Sequence, residues 1–144
     1  RKSILRLIAE YNPFLLDVEF NTIQKDKKLA VYLKKTKCKL LISWHDFKKT
    51  PNESQLKSRF NKMRKFSNFV KIVTVAKTVS DASRLLSLYS IKSKNKTVAF
   101  CMGDQGKFSR ILCLHLGSPF TYVSLGKAIA PGQFSVDEIK SLES

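Results

Sequence analysis

Phe69-Val70-Lys71-Ile72-Val73-Thr74-Val75 is the stretch from which the fold can be read. It is short, β-branched and apolar at alternate and intervening positions alike, with no turn residue inside it. That pattern marks a strand covered on both faces, as strands are in parallel sheets flanked by helices. Lys71 is out of place in it. One reading is a lysine whose stem lies along the strand while the amine snorkels out past its end. The other is a desolvated amine. Burial disfavours the ammonium form and lowers the pKa, leaving a neutral nucleophile able to condense with a carbonyl compound.

Working outward, similar runs recur on both sides. Phe14 to Phe20 reads as a strand, with Asp17 and Glu19 on one face and Leu16, Val18 and Phe20 on the other. Lys39 to Phe47 is a second, and His45 lies at its C-terminal end. Thr97 to Met102 follows the Lys71 strand, with Val98, Phe100 and Met102 sharing a face, and Phe120 to Ser124 reads as a fifth strand. Between them lie helical patterns: a basic helix near Lys25–Lys35 with Leu29, Tyr32 and Leu33 as its stripe, and one carrying Leu56, Phe60 and Met63. Others start at Ser80-Asp81 and run from Phe108 to Leu116, where Gly117 ends the helix. Thr50-Pro51-Asn52-Glu53 reads as a capping box with Pro at the first helical position, and Ser135 to Glu138 as the cap of a last helix. A first helix ends near Glu10, where Asn12-Pro13 breaks it.

Strand and helix therefore alternate with no hairpin signal, which predicts an α/β fold of parallel strands and helical crossovers. No Gly-rich phosphate loop follows the first strand, against a dinucleotide-binding sheet. A (β/α)8 TIM barrel needs about 250 residues. The 144 residues here fit its last five β/α units, so residues 1–144 are expected to be the C-terminal part of one barrel domain. The chain lacks an initiator Met and opens inside an amphipathic pattern (Ile4, Leu7, Ile8), which predicts a longer polypeptide.

Composition sets further bounds. There are 27 Lys and Arg against 11 Asp and Glu, a net charge of +16. The lysines are spread over many segments without an RNA- or DNA-binding signature, so the reading is a solvated surface attractive to an anionic substrate rather than a nucleic-acid module. No run approaches the ~20 apolar residues of a membrane span. Cys38, Cys101 and Cys113 show no zinc pattern, and reduced thiols in a cytoplasmic protein account for them; no metal is expected.

In a barrel the active site lies at the C-terminal ends of the strands. His45, Lys71, Arg110 beyond the Gly103–Gly106 loop, and Gln133 beyond the last strand all fall there. The segments around them resemble type I 3-dehydroquinate dehydratases: Ser43-Trp44-His45-Asp46-Phe47 with Lys48 to Pro51, Val70-Lys71-Ile72, Met102 to Arg110, Ala130-Pro131-Gly132-Gln133, and Leu16-Asp17-Val18-Glu19. The matches run in family order from Asp17 to Ser135. The resemblance implies a TIM barrel and a cofactor-free lyase of the shikimate pathway of aromatic amino acid biosynthesis, which converts 3-dehydroquinate to 3-dehydroshikimate, commonly as a homodimer. It implies Lys71 as the Schiff-base amine and His45 as general acid/base. It implies Arg110 as the carboxylate partner, Gln133 as a ligand of substrate oxygens, and Phe100, Met102 and Tyr122 as pocket walls. It places Asp17 and Glu19 among the substrate-binding residues.

Three departures stand out. Ile129 occupies a position where the family usually has serine, and Phe100 one where methionine is common. The family's first three strands, which supply an acid orienting the histidine and further arginine and glutamate groups, have no counterpart before Phe14. Another class I aldolase-type Schiff-base lyase, or a basic nucleic-acid-binding module, are the competing readings.

Overall fold

The computed structural model describes residues 2–125, 127 and 131–143. Helix α1 (Lys2–Glu10) leads through Asn12, at a positive φ of 49°, into strand β1 (Leu15–Glu19). Then come α2 (Phe20–Lys25), α3 (Lys27–Lys35), β2 (Lys39–Asp46), α4 (Glu53–Met63), β3 (Phe69–Val75), α5 (Val79–Leu86), a 3-10 turn (Ser87–Ser90) and β4 (Lys96–Met102). A 3-10 turn (Asp104–Gly106), α6 (Ser109–His115), β5 (Val123–Ser124), β6 (Phe134–Ser135) and α7 (Val136–Glu143) complete the order.

Strands β1 to β4 form one sheet in sequence order, and every neighbouring pair is parallel. A doubly wound sheet reverses its order part-way; a barrel wall does not. The outer face of the sheet carries Leu16, Val18, Leu40, Ile42, Val70, Ile72, Ala99 and Cys101 into one core with the helices. Helix α4 shows why. Leu56, Phe60 and Met63 stand one turn apart along its axis, and all three are fully covered. Burying each of them stabilises the packing by about 1.5–3 kcal/mol.

Several expected boundaries move. Phe20 opens α2 instead of closing β1, and the basic helix is divided at Asp26, whose carboxylate accepts from the Leu29 N–H to start α3. The α4 capping box is Asn52 with Gln55, not Thr50-Pro51, because the Thr50 hydroxyl is engaged elsewhere, donating to the Val75 carbonyl at 2.9 Å. Thr78, not Ser80, caps α5. Gly117, at φ 112°, ends α6 as expected, and the Ser118 N–H reaches back to the Cys113 carbonyl.

The fifth strand is the largest difference. Only Val123–Ser124 is extended, and it pairs in parallel with Phe134–Ser135 rather than joining the four-stranded sheet. Pro119 has no N–H to offer a ladder, and the Ser118 hydroxyl takes the Phe120 carbonyl at 2.7 Å, so pairing starts late. Ile4, Leu7 and Ile8 of α1 are exposed; Ala9 is the residue of that helix in the core. The three cysteines are buried free thiols. Among the described residues no helix is long and apolar enough to cross a membrane.

Candidate active site

Strand parity and register together assemble the site. Asp17 pairs with Leu41, Glu19 with Ser43, Ser43 with Lys71, and Lys71 with Val98 across the four strands. Residues in register point to one face, and so do residues two apart along each strand. Asp17, Glu19, Ser43, His45, Lys71, Val73, Phe100 and Met102 therefore share the face opposite the helices.

Lys71 does not snorkel. Its side chain is 8% exposed, and Nζ donates to Asp17 Oδ2 at 2.5 Å and to the Tyr122 hydroxyl at 3.3 Å. The second Asp17 oxygen accepts from the Ser43 hydroxyl at 2.5 Å. This corrects the expectation of an amine with a lowered pKa. Burial does pull it down, and is the largest single influence. The hydrogen bond and charge of Asp17, with smaller help from Tyr122, together outweigh burial, so the Lys71 pKa lies above that of an ordinary lysine. The amine is desolvated but held as ammonium.

His45 Nδ1 lies 2.5 Å from Glu19 Oε1, and its ring stacks on Phe47, 5.6 Å between centroids and 8° from parallel. A carboxylate accepts only, so Nδ1 carries the proton and Nε2 is the nitrogen able to take one from a bound molecule. Asp17 and Glu19, expected among the substrate-binding residues, bond to Lys71 and His45 and are not among the residues lining the cavity described below. Within this chain, Glu19 on β1 is the acid bonded to His45.

Arg110, in the first turn of α6, is 3% exposed. Its guanidinium lies over the Phe100 ring at 4.6 Å, and Nη2 reaches the Pro131 carbonyl at 3.5 Å. Nε is buried with no hydrogen-bond partner among the described residues. Burial lowers the Arg110 pKa from its usual value, with the nearby thiols opposing. A buried cation with an unused donor and no acid partner among the described residues suits an anionic ligand held at two points.

The segment carrying Gln133 is fastened to the β4 end. The Gly103 N–H donates to the Pro131 carbonyl at 3.0 Å, and Gly132, at φ 73°, packs so closely on the Gly103 backbone that a Cβ would collide with it. Ile129 and Ala130, just before, lie outside the described residues.

Lys71, His45, Arg110 and Gln133 line one cavity of about 270 Å³, walled by Phe100, Met102, Tyr122, Phe47 and Val73. Phe47 and Val73 were not anticipated. Both were legible by parity: Val73 stands two beyond Lys71, and Phe47 two beyond His45 in the run from Lys39 to Phe47. A cavity of about 300 Å³ at the other end of the sheet, around Lys34, Lys39 and Phe66, has no acid in its lining and no comparable set of groups.

The family model for type I 3-dehydroquinase matches residues 1–143. The chain belongs to the type I 3-dehydroquinase family. It is 42% identical over 137 residues to 3-dehydroquinate dehydratase from Pyrobaculum aerophilum, covering 95% of this chain and 44% of that protein. With the Pyrococcus abyssi 3-dehydroquinate dehydratase it shares 36% identity over 141 residues, 97% of this chain and 64% of the relative. The chain thus spans about half to two thirds of those relatives' length. A crystal structure of type I 3-dehydroquinate dehydratase from Clostridium difficile, with covalently modified comenic acid, superimposes with a TM-score of 0.84 at 25% identity, covering 98% of this chain and 58% of that one. As a type I 3-dehydroquinase domain, the sheet of β1 to β4 is an arc of the family's TIM barrel, and the cavity opens at the carboxyl ends of its strands.

Proposed function

We propose that the protein containing this chain is a type I 3-dehydroquinate dehydratase, a hydro-lyase that forms 3-dehydroshikimate through a Schiff base on Lys71. One observation carries the reading: a buried lysine amine, a carboxylate-bound histidine and a buried arginine with no acid partner among the described residues converge on a single cavity. Family membership and the curated dehydratase relatives support the substrate. The covalent ligand in the Clostridium difficile structure supports covalent chemistry in the fold.

Each group has a role. Arg110 grips the substrate carboxylate and Gln133 its oxygens, which sets the ketone against Lys71. Asp17 receives the ammonium proton, and the freed amine attacks the carbonyl carbon. The protonated imine is an electron sink that acidifies the neighbouring C–H. His45, through Nε2, removes that proton and returns it to the departing hydroxyl, while Glu19 steadies the imidazolium formed in between. Phe100, Met102 and Tyr122 exclude water around the imine. The reading carries with it a homodimer and a cytoplasmic location; three buried free thiols suit a reducing compartment.

Borohydride reduction of the full-length protein with 3-dehydroquinate tests it. A stable adduct is expected on the peptide containing Lys71, and none in Lys71→Ala. An adduct on a different lysine overturns the assignment.

A further inference from the structure

We propose that Tyr122 is a catalytic residue of the Schiff-base steps, its hydroxyl relaying protons between Lys71 Nζ and the substrate's carbonyl oxygen. This rests on the Schiff-base reading above and adds to it the group that makes and breaks the carbinolamine.

Among the described residues, two oxygens touch Nζ. Asp17 Oδ2 approaches from β1, its partner oxygen is occupied by Ser43, and it does not line the cavity. The Tyr122 hydroxyl, at 3.3 Å, belongs to a residue that does line it. The tyrosine ring is held in place. Phe100 lies 5.9 Å away and tilted by 51°, Phe120 lies 5.8 Å away edge-on, and the Lys71 ammonium sits 4.9 Å from the ring centre. His45 also lines the cavity. It is in register with Val73, two residues beyond Lys71 on the next strand, a step of about 6.6 Å along the sheet. Among the described residues that line the cavity, Tyr122 is the one with a hydrogen bond to Nζ. A phenol both donates and accepts, as the relay requires.

The proton count shows what the relay must do. Lys71 nitrogen begins with three hydrogens; the protonated imine keeps one, and two leave on the carbonyl oxygen as water. Asp17 first takes one, giving a neutral amine. The amine lone pair then forms the C–N bond and the carbonyl π pair moves onto oxygen. That oxygen takes the Tyr122 proton while Tyr122 takes one from the new N–H, which leaves a neutral carbinolamine and an intact phenol. Tyr122 next protonates the carbinolamine hydroxyl. The C–O bond breaks with its electron pair, water departs, and the nitrogen lone pair closes the C=N bond. The phenolate regains a proton through the imine N–H, which is resupplied from Asp17. The ammonium charge has become the iminium charge, and Asp17 and Tyr122 end as they began. Release of product by hydrolysis runs the same transfers in reverse.

The test is Tyr122→Phe in the full-length protein, which keeps the ring and its contacts with Phe100 and Phe120. Rapid mixing with 3-dehydroquinate, quenched by borohydride at successive times, gives the rate of adduct formation at Lys71. A fall of about a hundredfold or more is expected, in the range for loss of a general acid–base group, with the final extent of trapping unchanged. Site-specific 3-fluorotyrosine at position 122 keeps the side chain's shape and lowers the phenol pKa. It is expected to move the alkaline limb of adduct formation to lower pH. Adduct formation at the wild-type rate in Tyr122→Phe, or an unmoved limb with fluorotyrosine, overturns this inference alone. A wild type that gives no adduct at Lys71 overturns the Schiff-base reading and this inference with it.

Discussion

Replacing Asp17 by Asn tests the electrostatic arrangement most directly, because it removes a charge and little else. Lys71 is the buried member of the pair; the Asp17 side chain is 43% exposed. Breaking a fully buried ion pair by deleting one charge costs about 3–5 kcal/mol. A half-exposed carboxylate is screened by water, and exposed pairs contribute about 1 kcal/mol or less. The amide oxygen of Asn can also still accept one neutral hydrogen bond from Nζ, worth about 1 kcal/mol. The expected loss is therefore about 1–2 kcal/mol near neutral pH, measured by urea unfolding as a lower midpoint at unchanged slope.

The sign of the pH dependence follows from Lys71. Its folded pKa is raised, so the stabilisation is complete below the unfolded lysine value of 10.5 and is lost as pH rises through the higher folded value. The gap between wild type and Asp17→Asn should be flat near neutral pH, begin to close where the variant's lowered Lys71 value is reached, and go on closing as pH rises through the raised wild-type value. The same substitution leaves burial as the main influence on the amine, so the pH at which Lys71 reacts with an amine-directed reagent should fall. A gap that persists unchanged at pH well above 10.5, or an amine that becomes harder to deprotonate in the variant, refutes the ion-pair account.

Two further substitutions probe the rest of the site. Glu19→Gln keeps an acceptor for His45 Nδ1 but removes the charge behind the imidazolium. A charge-assisted hydrogen bond exceeds a neutral one by about 1–2 kcal/mol, so kcat should fall about five- to thirtyfold with KM changed little; steady-state kinetics would show it, and an unchanged kcat would mean Glu19 does not act through His45. Gly132→Ala places a side chain at φ 73° and against the Gly103 backbone. The positive φ alone costs about 1–2 kcal/mol, so the segment bearing Gln133 should detach from the β4 end. Limited proteolysis near residue 132 should speed up and KM rise about tenfold, while the unfolding midpoint of the sheet core stays in place.

How much of this was legible beforehand depends on how local the signal is. The β-branched run around Lys71 announced a parallel strand because burial on both faces is written into consecutive residues. Leu56, Phe60 and Met63 announced α4 in the same way. Alternation along Leu16-Asp17-Val18-Glu19 separated the acids from the core face, and the structure keeps that separation. The short β5 was misjudged because Phe120 to Ser124 has strand-like residues, whereas pairing depends on which backbone groups remain free. Pro119 and the Ser118 hydroxyl remove two of them.

Which acid meets which base was not legible at all. Parity places Asp17, Glu19, His45 and Lys71 on one face, but only inter-strand register decides that Asp17 reaches Lys71 across Ser43 while Glu19 takes His45. That choice reverses a chemical conclusion. The sequence around position 71 is apolar, and local burial argues for a neutral amine. A carboxylate 54 residues earlier in the chain holds it charged. An apolar strand with one lysine thus locates a candidate group, but the protonation state belongs to the sheet, and under the proposed Schiff-base chemistry the amine has to be released from Asp17 before it can act.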